Sequence, residues 1–480
     1  MVDLWRRRSL RLVGVRVTLG RCCVTSLLAL MLLLATGAQA VSAATPAATP
    51  AATPAATPAA TPAAASASAS TSTDTGRMQP LVGAYYYLWN PENFAGGTLR
   101  EHLVPPQQPG SSLVNSLSPH TAARDITNAR QAGINFFAMD WWPYDPGSSP
   151  RIAEQASAMK AFLKAPNISR MRFAMFYETW NLGFNPGNES TPVTFAMELH
   201  FDADMASFAR DFFGNRSYLR IDGRPVVFLY LTRTLTGDVS GMIQGARTVL
   251  KGLGFNPFFI GDDVYWRVTP ENPSPSGPIL TTSPQVDRIE QFDAITSYTY
   301  YYGDPDWLLG PTGDFTGYPG TTDIAADERH LLSEYSAATD GRVPVIPDVA
   351  SGFNDRGFRL STNHPPQPRQ WLAGEGPAST LDHLFRCVAL PEVSPALPMV
   401  MVTSWNDWNE DTGIEPIGGT PTRVDDSPSG QSYTQGYTYG GEGRTALKVL
   451  RADVDLLDHR FASGHATTGS AEDTNQTNSC

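Results

Sequence analysis

Between residues 81 and 457 the chain alternates apolar runs of strand length with segments of helical pattern, and this alternation leaves few folds open to it. The runs are LVGAYYYLW (81–89), INFFAMDWW (134–142), RFAMFYETW (172–180), PVVFLYL (225–231), PFFIGDD (257–263), DAITSYTYY (293–301), VPVIPDV (343–349) and PMVMVTSW (398–405). Most are continuously apolar, the pattern of parallel strands covered on both faces. HTAARDITNARQAG, RIAEQASAMKAFLK, FDADMASFARDFFG, SGMIQGARTVLKGLG and TLDHLFRCVAL read as helices between them, and RTALKVLRADVDLL follows the last run. Eight strands with interposed helices predict an α/β fold, a single (β/α)8 TIM barrel spanning residues 79–462. An open doubly wound sheet is the competitor, but no Gly-rich phosphate-binding turn follows the first strand.

The flanks have another character. Residues 1–40 combine six arginines, an apolar stretch from Val24 to Ala35 and the small-residue site Ala38-Gln39-Ala40, which together read as a secretory signal peptide. The apolar stretch is short for a membrane span, and an uncleaved anchor is the alternative. Residues 41–78 repeat TPAA and run into SASASTSTDTG, a low-complexity linker whose recurring proline forbids helix and which carries nothing to build a core. Residues 463–480 form a polar tail read as frayed. The expectation is a secreted or cell-surface protein, with possible cell-surface association through the N-terminal segment. The formal charge is −12, and removing the leader's six Arg and one Asp would take it to −17, which argues against a nucleic-acid partner. Two of the four cysteines lie in the leader. Cys387 and Cys480 remain, too few for a disulfide framework, and Cys387 reads as a small core residue on a helix.

In such a barrel chemistry gathers at the carboxyl ends of the strands. There this sequence places Tyr86, Trp89 and Asn90; Asp140, Trp141 and Trp142; Glu178 and Trp180; Asp262 and Asp263; Tyr298, Tyr300 and Tyr301; Asp348; and Trp405, Asn406, Asp407, Trp408 and Glu410. Flat rings stack on sugar C–H faces while acids and amides hydrogen-bond hydroxyls, so a polysaccharide or oligosaccharide is the implied ligand. Taken singly, a strand-end tryptophan plugs a barrel mouth and a strand-end acid caps a helix. Six or more strands ending alike is what neither of those single readings covers. The sharpest stretch is TSWNDWNEDTGIEP (403–416), in which Asp407 and Glu410 stand three positions apart. On one turn they share a side, and coupled carboxyls can divide acid and base roles as glycosidic cleavage requires. The rival account has Asp407 capping a turn and Glu410 paired with an arginine. No cofactor is expected and no catalytic metal, since no His–carboxylate cluster has ligand spacing. DPDWLLGPTGD (304–314) could hold calcium, though a solvated acidic loop accounts for it as well.

TSWNDWNEDTGIEP resembles the closing motif of glycoside hydrolase family 99, the endo-α-mannosidases and endo-α-mannanases. GAYYYLW, FYETW, FDAITSYTYYYG and PDVASGFNDRGFR resemble its first, third, sixth and seventh strand regions. The resemblance spans nearly all of 79–460 and implies a barrel glycosidase. It makes Glu410 the general acid/base and Asp407 the partner carboxylate that deprotonates the sugar's own 2-hydroxyl, giving an anhydro-sugar intermediate and net retention. It also makes Glu178 a substrate contact and puts Tyr298 or Tyr300 beside the cleaved bond. The sequence departs from the family at Asp407, where the mannosidases carry glutamate, and at Asp411, where glycine is typical. The expected function is a secreted, retaining, endo-acting glycoside hydrolase of α-linked, mannan-like polysaccharide. The alternatives are a non-catalytic carbohydrate-binding or envelope-glycan protein on the same barrel, and a hydrolase of another linkage such as α-1,3-glucan.

Overall fold

The computed structural model describes residues 79–88, 108–109, 115–142, 150–182, 191–264, 284–298, 318–321, 324–355, 367–418, 440–441 and 443–462. The leader, the linker, the tail and the 304–314 segment lie outside the described residues. In chain order the barrel elements are β1 (Leu81–Tyr86), α1 (Pro119–Gln131), β2 (Phe136–Trp141), α2 (Pro150–Leu163), β3 (Arg172–Tyr177), α3 (Phe195–Phe208), β4 (Arg224–Leu229) and α4 (Val239–Gly252). They continue with β5 (Phe258–Asp262), α5 (Val286–Ile289), β6 (Ala294–Thr296), α6 (Ile324–Ala338), β7 (Val345–Ile346 and Asp348–Ala350), α7 (Ser379–Leu384), β8 (Met399–Thr403) and α8 (Thr445–Ala462). The eight expected strands are all present. Helices α5 and α6 were not anticipated, because IAADERHLLSEYSAA mixes charge into its apolar stripe and α5 is a single turn.

Neighbouring strands pair in parallel, and the order closes on itself through β7. Val345 and Ile346 pair with β6, while Asp348 to Ala350 pair with β8. The break between the halves falls on Pro347, which has no N–H to give to either neighbour; its carbonyl still accepts the Met401 amide at 2.9 Å. One strand interrupted at its proline thus serves both edges, and β8 returns to β1 to complete the barrel.

Alternation along each strand sorts side chains into two cores. Tyr85, Phe136, Ala138, Phe176, Phe228, Ile260, Met399 and Met401 fill the interior. Their sequence neighbours Tyr86, Phe137, Met139, Tyr177, Leu229, Val400 and Val402 pack outward under the helices. Gly83 marks how tightly the interior is filled: a Cβ there would lie 2.1 Å from the ring of Phe136. Helix starts carry the expected side-chain acceptors: Ser118 accepts from the Thr121 amide, Thr194 from Met197 and Asp238 from Gly241. Cys387 is buried in the π turn Phe385–Ala389 that continues α7, but it is disulfide-bonded, with its partner outside the described residues, which corrects its reading as a plain core residue. Among the described residues no helix is long and apolar enough to cross a membrane.

Candidate active site

Continuing the inward alternation two residues past each interior position reaches the carboxyl-end mouth. Tyr85 leads to Tyr87, Ala138 to Asp140, Phe176 to Glu178, Phe228 to Tyr230 and Ile260 to Asp262, and on β6 the same face ends in Tyr298. Rings form the floor: Tyr298 stacks on Phe176 at 5.7 Å and meets Tyr230 edge-on at 5.3 Å, and the Tyr87 and Tyr298 hydroxyls hydrogen-bond each other.

The loop after β8 delivers the two acids. Its hydrogen bonds run within the turn, to the end of β1 and to the segment after β7, where the Asn354 amide donates to the Glu410 carbonyl at 2.7 Å and Arg369 donates to the carbonyls of Asp411 at 2.8 Å and Gly413 at 3.1 Å, so its shape is set before any ligand arrives. Asn406 clamps the backbone of Tyr87, accepting its amide at 2.7 Å and donating to its carbonyl at 3.0 Å. The Trp405 amide donates to the Tyr85 carbonyl at 2.8 Å. Ser404 Oγ accepts the Asp407 amide at 2.8 Å and bonds Thr412 Oγ1 at 2.8 Å. Within the turn Asp407 Oδ1 accepts the amides of Asn409 at 3.0 Å and Glu410 at 3.2 Å. Asp407 therefore does cap its own turn, as the rival account anticipates, and that bond fixes it relative to Glu410. Asp411 closes the turn at φ 52°, a left-handed backbone that glycine adopts without cost, and its carboxylate accepts the Gly440 amide at 3.1 Å.

The electrostatics tie both acids to the barrel interior. Burial, then the charges of Glu410 and Asp407, suppress ionisation of Tyr298; burial, then Tyr298, Asp407, Asp140 and Glu410 do so for Tyr87. On the facing side Asp140 and Glu178 are 3% and 4% exposed. Burial lifts Asp140 to about 7, against hydrogen bonding from Glu178 and from Trp142, whose Nε1 donates to Oδ2 at 3.0 Å. Burial, then the charge of Asp140, with hydrogen bonding to Asp140 and the charges of Glu410 and Asp262 adding, holds Glu178 well above the usual carboxylate range, so the pair holds a proton between them. Asp262 is occupied differently: it pairs with Arg233 at 2.5 Å and accepts the amides of Leu231 and Tyr298 at 2.9 and 2.8 Å. The arrangement can donate a proton, accept one at a second carboxylate, and hydrogen-bond a polyol above a bed of rings.

No family model matches the chain, and no curated protein does. Among solved structures, a glycoside hydrolase-like protein superposes with a TM-score of 0.52 at 18% identity, covering 78% of this chain and 94% of that one. An endo-α-mannosidase of glycoside hydrolase family 99 from Bacteroides thetaiotaomicron, solved both alone and in complex with BIS-TRIS-propane, gives 0.51 at 14% identity over 80% and 98%. The fold is similar to that of family 99.

On that frame the sequence-nominated residues divide. Asp140, Glu178, Tyr298, Asp407 and Glu410 come together at the mouth, and Trp142 joins them through Asp140. Trp89 and Tyr300 lie outside the described residues. Five others are taken out of the ligand-facing set. Trp405 is fully buried against Phe137 in the outer core, and Tyr86 points the same way, donating to Asp125 at 3.0 Å. Trp141 packs edge-on against Phe208 and Phe212, in and just beyond α3. Trp408 is buried over Gly413, where its ring would meet a Cβ at 2.9 Å, and points Nε1 at Glu415. Asn406 is spent on the Tyr87 backbone. The residues missed are Tyr87 and Tyr230. For Tyr87 the signal was available in the alternation, which selects the third tyrosine of AYYYL rather than the second.

Behind the loop lies a cluster that sequence reading did not find. Arg124 holds Asp125 at 2.8 Å and also binds Glu415, which is pushed up to about 8 by burial and by Asp125, against Arg124. It links α1, the end of β1 and the IEP segment on the helix side of the mouth.

Proposed function

We propose that the chain is a glycoside hydrolase, retaining and endo-acting on an α-linked, mannan-like polysaccharide, and that it works outside the cytoplasm. The observation that carries the reading is the pre-set turn bearing Asp407 and Glu410, whose charges both reach Tyr298 and Tyr87 on the inward face of the barrel. Glu410 gives its proton to the leaving glycosidic oxygen as the C1–O bond breaks, while Asp407 takes the proton of the attacking 2-hydroxyl. Water then opens the anhydro-sugar: Glu410 takes the water's proton as the new C1–O bond forms, and Asp407 returns a proton to O2. Glu178 and Asp140 hold the sugar's hydroxyls, and Tyr298, Tyr87 and Tyr230 carry its apolar face. The scaffolds of the family 99 endo-α-mannosidase and of the glycoside hydrolase-like protein support the reading through their likeness in fold.

The test is a digest of a panel of α-mannans, α-glucans and β-linked polysaccharides, with product masses and anomeric configuration read out. Internal cutting of an α-linked polymer with retained configuration is the expected result. Absence of cleavage across the panel would remove the reading. A second reading, a barrel that binds glycan without cutting it, is favoured by one observation: Asp407 Oδ1 is committed to the turn amides, as in a structural cap. Glycan binding by both wild type and Glu410→Gln, with cleavage by neither, would select it.

A further inference from the structure

Asp140 and Glu178 form a pair for which a neutral polysaccharide does not fully account; the argument rests on the mouth being the glycan site. Apart from the hydrogen bond the two carboxyls make to each other, Asp140 Oδ1 and Glu178 Oε2 are buried with no donor among the described residues, and alternation aims both side chains into the barrel. Leaving buried charge without a counter-charge or donor is costly, so something the protein does not supply belongs between them. The groups around the pair deepen the deficit. Glu410, Asp407 and Asp262 add negative charge. Tyr87, Tyr230 and the Trp142 indole are neutral. Among the described residues the cation found at this mouth is Arg233, already paired with Asp262. What fits is a monocation bound by hydrogen bonds to two oxygens, with tyrosine rings beside it.

We propose that the sugar unit seated against Asp140 and Glu178 carries a free amino group, so that the glycan this protein takes is an amino-sugar polymer with unacetylated positions. In the empty site the two carboxyls share one proton. The incoming ammonium brings its own N–H donors and positive charge, and the shared proton leaves to solvent. Because Asp140 titrates at about 7 in the empty protein, such binding strengthens as pH rises through that value, for as long as the amine itself stays protonated. The chain's formal charge of −12 would draw a polycationic glycan at long range.

The experiment is calorimetric titration of the full chain with tetrasaccharides of glucosamine, N-acetylglucosamine and mannose. Each is run below and above pH 7, in two buffers of different ionisation heat. The amino sugar is expected to bind at least about tenfold more tightly than either neutral sugar, the scale of one charge-assisted hydrogen bond. Binding should release about one proton above pH 7 and up to two below it, and Asp140→Asn with Glu178→Gln should erase the preference while circular dichroism shows an intact fold. Neutral sugars binding as well as glucosamine, or binding without proton release, would overturn the inference and leave the glycosidase reading standing. Failure of every tetrasaccharide to bind, together with no cleavage of the polysaccharide panel, would overturn both.

Discussion

At the scale of single residues, one side chain can serve as cap and as chemical group, and substitution separates the two. Asp407→Asn keeps an Oδ1 acceptor for the amides of Asn409 and Glu410 but cannot take a proton. Turnover should fall by about two orders of magnitude or more, with the melting temperature nearly unchanged. Asp407→Ala loses the cap as well and should cost about 1 kcal/mol of stability in a denaturant titration. A loss of stability in the Asn variant with turnover preserved would return Asp407 to a structural role. Asp140 makes a prediction of opposite kind. Its ordinary value is 3.8 and in the fold it is about 7, so the stability that comes from holding it neutral is full at low pH and is lost as pH rises through about 7. Asp140→Asn does not ionise, so its stability relative to wild type should grow across that window, by up to about 4 kcal/mol. Thermal melts across the pH range check this, and a flat difference would contradict it.

At the scale of elements, the barrel strands were readable because both faces of each are covered: runs such as INFFAMDWW need no alternation to be recognised. Which face looks inward was not readable from the same runs, since a continuous apolar run has no polar side to orient it. That is why the run AYYYL does not by itself tell inward Tyr87 from outward Tyr86, and why nothing in TSWNDW marks Trp405 as returning to the outer core after β8. The acids survived this ambiguity better than the rings, because Asp140 and Glu178 lie two residues beyond interior positions. Amides such as Asn406 gave no signal at all that their partners would be backbone atoms just past the end of β1, more than 300 residues earlier. Two predictions belong here. Gly83→Val forces a side chain into the ring of Phe136 and should destabilise the barrel by about 3 kcal/mol, seen as a lowered denaturation midpoint. Arg124→Met leaves Asp125 and Glu415 buried without their cation and should cost a similar amount, about 3 kcal/mol. Because Glu415 titrates at about 8 in the fold, the Arg124→Met penalty should deepen toward alkaline pH, where both acids are charged. A penalty independent of pH would show that lost packing, not charge, is responsible.

At the scale of the molecule, closure is what the proposed chemistry depends on. Pro347 lets one strand serve two edges, the closed cylinder gives the carboxyl ends a common mouth, and β8 ends beside β1 so that Asn406 can pin the acid-bearing turn. The sequence foretold the cylinder and the turn, while closure through a broken β7 and the Arg124–Asp125–Glu415 support behind the mouth needed coordinates. The central claim is that this mouth places a glycosidic bond between Asp407 and Glu410. Its most direct test is a crystal structure of Glu410→Gln with an oligosaccharide from the digested polymer. The account predicts an unbroken sugar chain across the mouth, its bridging oxygen within hydrogen-bond reach of residue 410 and its ring over Tyr298. A chain bound elsewhere on the surface, or one crossing the mouth with its linkage turned away from both positions, would contradict it.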